Sequence, residues 1–590
     1  MSDYRFPRQD ALFVLQQLVG LEALCRQAGL DEVNDELVSA ILDEAARFGA
    51  EQLAPSNVQG DRQPARLGEQ GVEETAGFAE LYRQFRDAGW PALAGDPRYG
   101  GQGLPNVLST AVNEIWQSAN LAWSLCPLLT QGAIEALQYH GSDTLKQTYL
   151  PMLVSGEWVA TMNLTEPDAG SDLAAIKTRA VPEGDHYRLS GQKIFITWGD
   201  HRMTDNIVHL VLARLPDAPA GVKGISLFLV PKFLPDEQGG FTELNDLQAS
   251  ALEHKLGIHG SPTCVMNYGD GGGALGYLVG EPNAGLACMF TMMNSARQAV
   301  GLQGLSVAER AYQQARDYAR ERLQGTLPDG RRLTIIHHPD VRRMLMQMKA
   351  SLEAMRALAY VAAAEVDRAR HVGEASDQNR HQARVELYTP IIKGWLTELA
   401  QEVAYLAIQV YGGMGYIEET GVAQYYRDAR ILTIYEGTTG IQALDLVGRK
   451  ILADRGAALV ALLDEIDADL QVADKSLEPL RQRVSRALQQ ARQAGQWLLS
   501  AAAENPQAAG AASVPLLMLL GYLCGGWQML NAAQRAGELL QAGEGDADFL
   551  RAKQVTARFY CEQLLPRCDS LLAAIVAGPE AVMALKEEQF

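Results

Sequence analysis

A chain of 590 residues is too long for one hydrophobic core and has to divide into several packed domains. Its net charge of -20 argues against a nucleic-acid or anionic-membrane surface as its main function, because both need concentrated positive charge. Hydrophobic content of 47% and a mean hydropathy of -0.10 describe an ordinary globular protein, and seven scattered cysteines without CxxC pairs point to reduced thiols in a cytoplasmic setting, not to a metal cluster or a disulfide framework.

Residues 1–5 lack a basic segment followed by an apolar run, so no signal peptide is expected. Residues 1–35 read as a short extension in which 11–19 repeats with a helical period. The region 36–155 is helical: Asp35 and Glu36 precede Leu37, Val38, Ile41 and Leu42, and a loop with Gly95, Gly100, Gly101 and Gly103 breaks the pattern before helices resume over 107–153. From 156 to 280 the period changes to two. Strands are predicted at 187–191, 206–214 and 224–230, the last stopped by Pro231, and no long helix intervenes, which predicts an antiparallel β-domain.

Residues 281–455 return to long helices, with Met344, Leu345, Met348, Leu352, Met355 and Leu358 forming a core stripe. The last unit, 456–590, is helical again, with breaks predicted at 505–510 and 543–545. It carries 11 Lys and Arg against 16 Asp and Glu, which disfavours nucleic-acid binding there. The apolar stretch 514–530 is interrupted by Pro515, Gly521, Gly525 and Gly526 and lacks basic anchors, so it reads as a buried helix and no membrane span is expected. The chain is thus an α+β arrangement of helical domain, central antiparallel β-domain and helical bundle, plus an additional C-terminal helical domain.

The chemistry concentrates in Ile434-Tyr435-Glu436-Gly437-Thr438-Thr439-Gly440-Ile441-Gln442. One carboxylate stands between bulky apolar residues and a glycine hinge, and the capping-box spacing of Thr439 and Gln442 predicts a helix starting there. Apolar neighbours raise a carboxylate's pKa, which suits a general base near neutral pH. On residue type alone, a glutamate near a helix start reads more often as a cap or dipole partner.

Two further segments add weight: Met162-Asn163-Leu164-Thr165-Glu166-Pro167-Asp168-Ala169-Gly170-Ser171-Asp172, which follows Trp158-Val159-Ala160, and Gly191-Gln192-Lys193-Ile194-Phe195-Ile196-Thr197 downstream. These motifs, in this order over about residues 35–450, resemble the signatures of the acyl-CoA dehydrogenase family. The run from Tyr411 to Gly421 and the Thr556-Ala557-Arg558-Phe559-Tyr560 segment resemble its larger bacterial members, which carry an extra C-terminal helical domain and act on methylthiopropionyl-CoA or fatty acyl-CoA substrates.

The resemblance implies FAD, held between the β-domain and the second helical domain. It assigns flavin contacts to Met162, Leu164, Thr165, Gly170 and Ser171, to Phe195, Ile196 and Thr197, and to Thr438. The family often has Trp where Phe195 stands; Phe keeps the aromatic face and loses the indole donor. Arg322 and Gln324, together with Gln409, Gly412 and Gly413, match segments that reach the FAD of a neighbouring subunit, which implies a homodimer. On residues alone the Gly412-Gly413-Met414-Gly415 run reads as a turn between helices. Substrate contacts are implied for Ser171, Asn294, Arg297, Tyr435 and Gly437, with Asn294 replacing the family's usual Asp; no metal is expected. Glu436 matches the catalytic base. It would take the α-proton of an acyl-CoA thioester while the β-hydride passes to flavin N5, yielding the trans-2-enoyl-CoA, with electrons leaving to an electron-transfer flavoprotein. An acyl-CoA oxidase and a DNA-binding relative are the alternative readings.

Overall fold

The computed structural model describes residues 4–235 and 240–590. These form two compact units that interleave along the chain: Arg47–Leu104 with Ala119–Ala296, and the segments up to Ala46, Pro105–Ser118 and Arg297–Phe590.

In the first unit, Trp158–Asn163 (β1), Arg179–Glu183 (β2), His186–Thr197 (β3), Asn206–Arg214 (β4), Ile225–Pro231 (β5), Leu247–Leu252 (β6), Thr263–Tyr268 (β7) and Ala274–Val279 (β8) make one eight-stranded sheet. The order is β6-β7-β3-β8-β5-β4-β1, with β2 beside β3 and β4. The antiparallel reading holds for every ladder of this sheet except β1 with β4, parallel from Trp158 opposite Asn206 to Asn163 opposite Val211, and the single pair Arg179–Arg214. Side-chain alternation is the same in both directions, so the sequence pattern carries no sign of this pair.

Both faces of the sheet centre are covered. Val208, Leu210, Leu212, Leu227 and Leu229 pack with Leu137 and Leu150 of the helices Leu121–His140 and Asp143–Ser155. Val211, Ala213, Phe228 and Val230 pack on the opposite face with Leu189 and Met266. This two-sided burial makes β4 and β5 almost continuously apolar. Between β3 and β7 the register shifts, so that Ile194 and Phe195 together oppose Val265, a β-bulge.

In the second unit, Asn106–Ala119 (α1), Gly285–Glu321 (α2), Pro339–His371 (α3), Thr397–Tyr411 (α4), Thr439–Asp445 (α5), Glu478–Glu504 (α6), Pro506–Ala542 (α7) and Ala547–Phe559 (α8) are the principal helices, α1 and α2 extending past the unit's limits. The stripe from Met344 to Leu358 is buried along α3. A cluster of buried charges joins five elements of this unit. The Arg356 guanidinium on α3 donates to Glu114 of α1 at 2.6 and 3.0 Å, to Glu309 of α2 at 2.9 Å and to Asp10 of the N-terminal extension at 2.6 Å. Lys553 of α8 donates to the same Asp10 at 2.5 Å and to Glu353 at 2.8 Å. The extension is therefore pinned to the C-terminal helices.

Helix α7 departs from the expected breaks. Asn505 is a single capping residue whose side chain accepts from the Gln507 N–H, Pro506 occupies the first turn, and the helix runs on through Gly510, so the predicted 505–510 break shrinks to one residue. Proline in the first helical turn lacks only a donor that has no partner there anyway. Gly521 and Gly525 are close-approach positions: a Cβ at Gly521 would lie 2.2 Å from Trp395 Cγ, and one at Gly525 2.5 Å from the Tyr560 hydroxyl. By length and composition α7 is apolar enough to cross a membrane, with a mean hydropathy of 1.7 over its best window, yet 67% of that window is buried by the rest of the protein, as a core helix is. All seven cysteines are buried free thiols, and no group of metal-ligating side chains occurs among the described residues.

Two outcomes follow from this packing. Gly521→Ala forces a methyl group into the Trp395 ring and is expected to destabilise the helical unit by about 1–3 kcal/mol, read as a lower thermal unfolding midpoint. Arg356→Met leaves Glu114, Glu309 and Asp10 without their shared cation. It should cost roughly 3–5 kcal/mol and lower the urea midpoint, and an unchanged midpoint would contradict the structural role of the cluster.

Candidate active site

Glu436 sits on a tight turn between the 3-10 turn Arg430–Thr433 and α5. Its φ of +55° and the +90° of Gly437 place two successive residues in the left-handed region. For a glutamate that conformation costs roughly 1–2 kcal/mol, so the surroundings have to hold it. Gln442 donates its amide to the Glu436 carbonyl at 2.9 Å, and Lys393 donates to the Gly437 carbonyl at 2.6 Å.

The helix that follows starts at Thr439, as expected, but its cap is Thr438, whose hydroxyl accepts from the Ile441 N–H at 3.2 Å. The expected Thr439–Gln442 capping box is not formed: Thr439 donates to Glu398 at 2.6 Å and Gln442 turns back to the Glu436 turn. Two adjacent threonines give the sequence no means of telling which is the cap.

The Glu436 side chain is crowded by protein yet partly open. Burial pushes its carboxyl up to about 7, while the positive charges of Arg297 and Lys393 act in the opposite sense and are outweighed. Arg297 is itself buried, with Asp445 at 3.4 Å. Tyr435 donates its hydroxyl to Gln303 of α2, which commits it to the protein interior. Among the described residues the Glu436 N–H makes no backbone hydrogen bond. The arrangement offers a carboxylate that gains and loses a proton near neutral pH, next to an unspent backbone donor.

Five residues spread over 92 positions come together elsewhere in the same unit. Arg322, Gln324, Gln409, Gly412 and Gly413 line one cavity of about 450 Å³, beside the stacked rings of Tyr318 and Tyr411, 4.0 Å apart. Gly412 takes φ +62° and ψ -142°, and a Cβ there would meet nothing, so conformation and not space calls for glycine. Arg322 is exposed, and its guanidinium has no hydrogen-bond or ion partner among the described residues. A cation, two amides and a bare backbone fit the phosphates of a dinucleotide. Arg322 precedes the hairpin of Leu323–Thr326 with Arg332–Thr334, which the helical pattern of 281–455 did not anticipate.

In the sheet unit, the Glu166 carboxylate is spent internally. It accepts from Lys193 at 2.8 Å, from the Thr178 hydroxyl at 2.6 Å and from the N–H groups of Lys177 and Thr178. Lys193 also donates to the Leu164 carbonyl at 3.0 Å and so ties the 162–172 segment to β3. Met162 and Thr165 are half-buried, and Gly170 and Ser171 are exposed beyond a turn closed by Glu166 and Ala169. Phe195, at the bulge, has φ +60° and is 58% exposed. Ile196 buries its side chain in the sheet core, so only its backbone is available to a ligand, and Thr197 is half-buried opposite Thr263. An exposed aromatic face with hydroxyl and amide donors nearby fits a flat, hydrogen-bonding ring system. Asn294 is exposed on α2.

Lys393 was not singled out by the sequence reading. Its signal was a lone lysine inside the apolar run Pro390-Ile391-Ile392-Lys393-Gly394-Trp395-Leu396, where a charge needs a reason.

Four families match along the chain: acyl-CoA dehydrogenase N-terminal domain over residues 35–157, middle domain over 161–270, C-terminal domain over 283–452, and the acetyl-CoA dehydrogenase C-terminal-like domain over 462–586. The 3-methylmercaptopropionyl-CoA dehydrogenase of Ruegeria pomeroyi is 46% identical over 574 residues, 96% of this chain and 97% of that protein. The broad-specificity linear acyl-CoA dehydrogenase FadE5 of Mycobacterium tuberculosis is 34% identical over 615 residues, the full length of both. The crystal structure of an acyl-CoA dehydrogenase complexed with FAD from Bacillus anthracis shares the fold, with a TM-score of 0.74 at 22% identity, covering 93% of this chain and 89% of that one. Acyl-CoA dehydrogenases are FAD flavoproteins. With four domain models matched in order between residues 35 and 586, this chain belongs to the acyl-CoA dehydrogenase family.

Proposed function

We propose that the protein oxidises a saturated acyl-CoA thioester to the trans-2-enoyl-CoA, with Glu436 as the base that removes the α-proton. The observation that carries this reading is a carboxylate held near neutral on a strained turn, faced by two cations, beside a backbone N–H with no backbone partner. A base of that strength is largely ionised just above neutral pH and still binds a proton firmly once it has taken one.

The Glu436 N–H is the donor we assign to the thioester carbonyl, where negative charge gathers as the α-proton leaves. Arg297 and Lys393 favour the ionised carboxylate before that step. FAD, when bound, supplies the acceptor for the hydride lost from the β-carbon. Residues assigned to hold it are Met162, Leu164, Thr165, Gly170, Ser171, Phe195, Ile196, Thr197 and Thr438. Arg322, Gln324, Gln409, Gly412 and Gly413 are assigned to the cofactor of a second copy, in a homodimer. Straight-chain acyl groups, methylthiopropionyl among them, are the substrate class supported by the names of the relatives. An electron-transfer flavoprotein is the proposed electron acceptor, and the seven buried thiols support a reducing, cytoplasmic compartment.

The test is an anaerobic titration of the flavin-loaded protein with acyl-CoAs from methylthiopropionyl and butyryl to palmitoyl. Bleaching of the flavin band by a subset is expected, and no bleaching by any of them would overturn the reading. Glu436→Gln should retain fold and flavin while kcat falls by roughly 10²- to 10⁴-fold. Because the active form is the carboxylate and its pKa is about 7, kcat should rise as pH passes upward through 7. Arg322→Ala should lower the flavin-to-protein absorbance ratio after gel filtration; an unchanged ratio counts against the cavity as a phosphate site.

A further inference from the structure

Lys393 lies in the π-helical turn Ile392–Leu396, and its side chain is wholly buried. Among the described residues no carboxylate comes within ion-pair distance of its ammonium, whose hydrogen bond goes instead to the Gly437 carbonyl at 2.6 Å. A buried ammonium without a paired carboxylate is costly, and burial pulls its pKa down to about 8. Such a group persists only where the fold gains something specific from it. π-Turns inside helices gather at functional sites, and this one delivers the lysine to the turn that carries Glu436.

The charges facing Glu436 come from few directions. Arg297 approaches from α2, and its charge is shared with Asp445 of α5, with Arg449 further out. Lys393 approaches from the π-turn and feels Glu398 of α4 behind it, whose carboxylate accepts from Thr439. The Tyr435 phenol stays neutral, because burial pushes it well up and its proton goes to Gln303. Gln442 contributes an uncharged amide.

We propose that Lys393 is a positioning residue for the reaction assigned above: its hydrogen bond holds the left-handed Glu436–Gly437 turn, and its charge keeps Glu436 in the base form at neutral pH. This rests on Glu436 being the base. The two contributions separate by substitution. Lys393→Gln keeps an N–H donor and removes the charge; Lys393→Met removes both.

The experiment measures kcat and KM against pH, from about 6 to about 9, for the flavin-loaded wild type, Lys393→Gln, Lys393→Met and Glu436→Gln, with flavin content and thermal midpoint recorded for each. Removing a neighbouring positive charge raises the pKa of a carboxylate, so the rising limb of kcat should move upward by about one pH unit in Lys393→Gln. That means about a tenfold loss near pH 6 and recovery of the wild-type rate near pH 9, with KM unchanged within about twofold. Lys393→Met should show the same displacement and a lower plateau, since the turn loses its tether. A limb that superimposes on wild type in Lys393→Gln, or a loss of equal size at every pH, overturns the proposal. If either variant fails to hold flavin, Lys393→Arg decides: it keeps the charge and must keep the wild-type limb, and an upward displacement there is fatal to the idea. Full activity of Glu436→Gln would instead remove the base assignment itself. An inactive Glu436→Gln beside an unshifted Lys393→Gln removes only the role of Lys393.

Discussion

One guanidinium inside the protein, that of Arg356, is the contact on which the helical unit turns. It reaches α1, α2 and the N-terminal extension, and through Asp10 it is linked to Lys553 on α8. Breaking such a cluster strands charge in a medium that cannot solvate it, so the helices are fixed in axial register and not merely pressed together. Apolar stripes alone tolerate sliding by a turn. This matters to the site because α2 also brings Arg297 and Gln303 to the Glu436 turn. The cluster itself is close to balanced, with one acid in excess: Asp10, Glu114, Glu309 and Glu353 face Arg356, Lys553 and Lys349. Burial raises the pKa of Glu114, and the Arg356 guanidinium and the Tyr360 hydroxyl that donate to it act in the opposite sense.

The two places where the backbone leaves its comfortable range at an assigned position share a construction. Phe195 and Glu436 are both non-glycine residues at positive φ. Next to each stands a wholly buried lysine that donates to a main-chain carbonyl: Lys193 to Leu164, and Lys393 to Gly437. They differ in their electrostatics. Lys193 has Glu166 as a full ion partner and serves as a tie between segments, whereas Lys393 spends its hydrogen bond on the Glu436 turn alone. The first lysine is therefore structural on its own account, and the second has charge to spare for its neighbour.

Much of the fold was legible. Strand 206–214 lies where it was expected, although burial on both faces leaves it almost continuously apolar and not alternating, the α3 stripe is buried, and the order helix, sheet, helix, helix holds. What the pattern missed has physical causes. Period two reports burial and not strand direction, so the parallel pairing of β1 with β4 was invisible. Proline and glycine carry opposite meanings according to position: Pro506 starts α7, and Gly521 and Gly525 let it approach Trp395 and Tyr560. At the site, motif resemblance singled out Glu436 and the residues that line the Arg322 cavity. Lys393 escaped because its meaning lies in a contact across 44 positions, which neither spacing nor composition records.

The cysteines give the molecule one last property. Burial raises every thiol, to about 12 for Cys25, Cys264, Cys524, Cys561 and Cys568, so the native state presents almost no thiolate to an electrophile at physiological pH. Alkylation then waits for the structure to open. Because Cys126, Cys264 and Cys288 lie in the sheet unit and Cys524, Cys561 and Cys568 in the helical one, the order in which they are alkylated is a clock for which part of the protein loosens first.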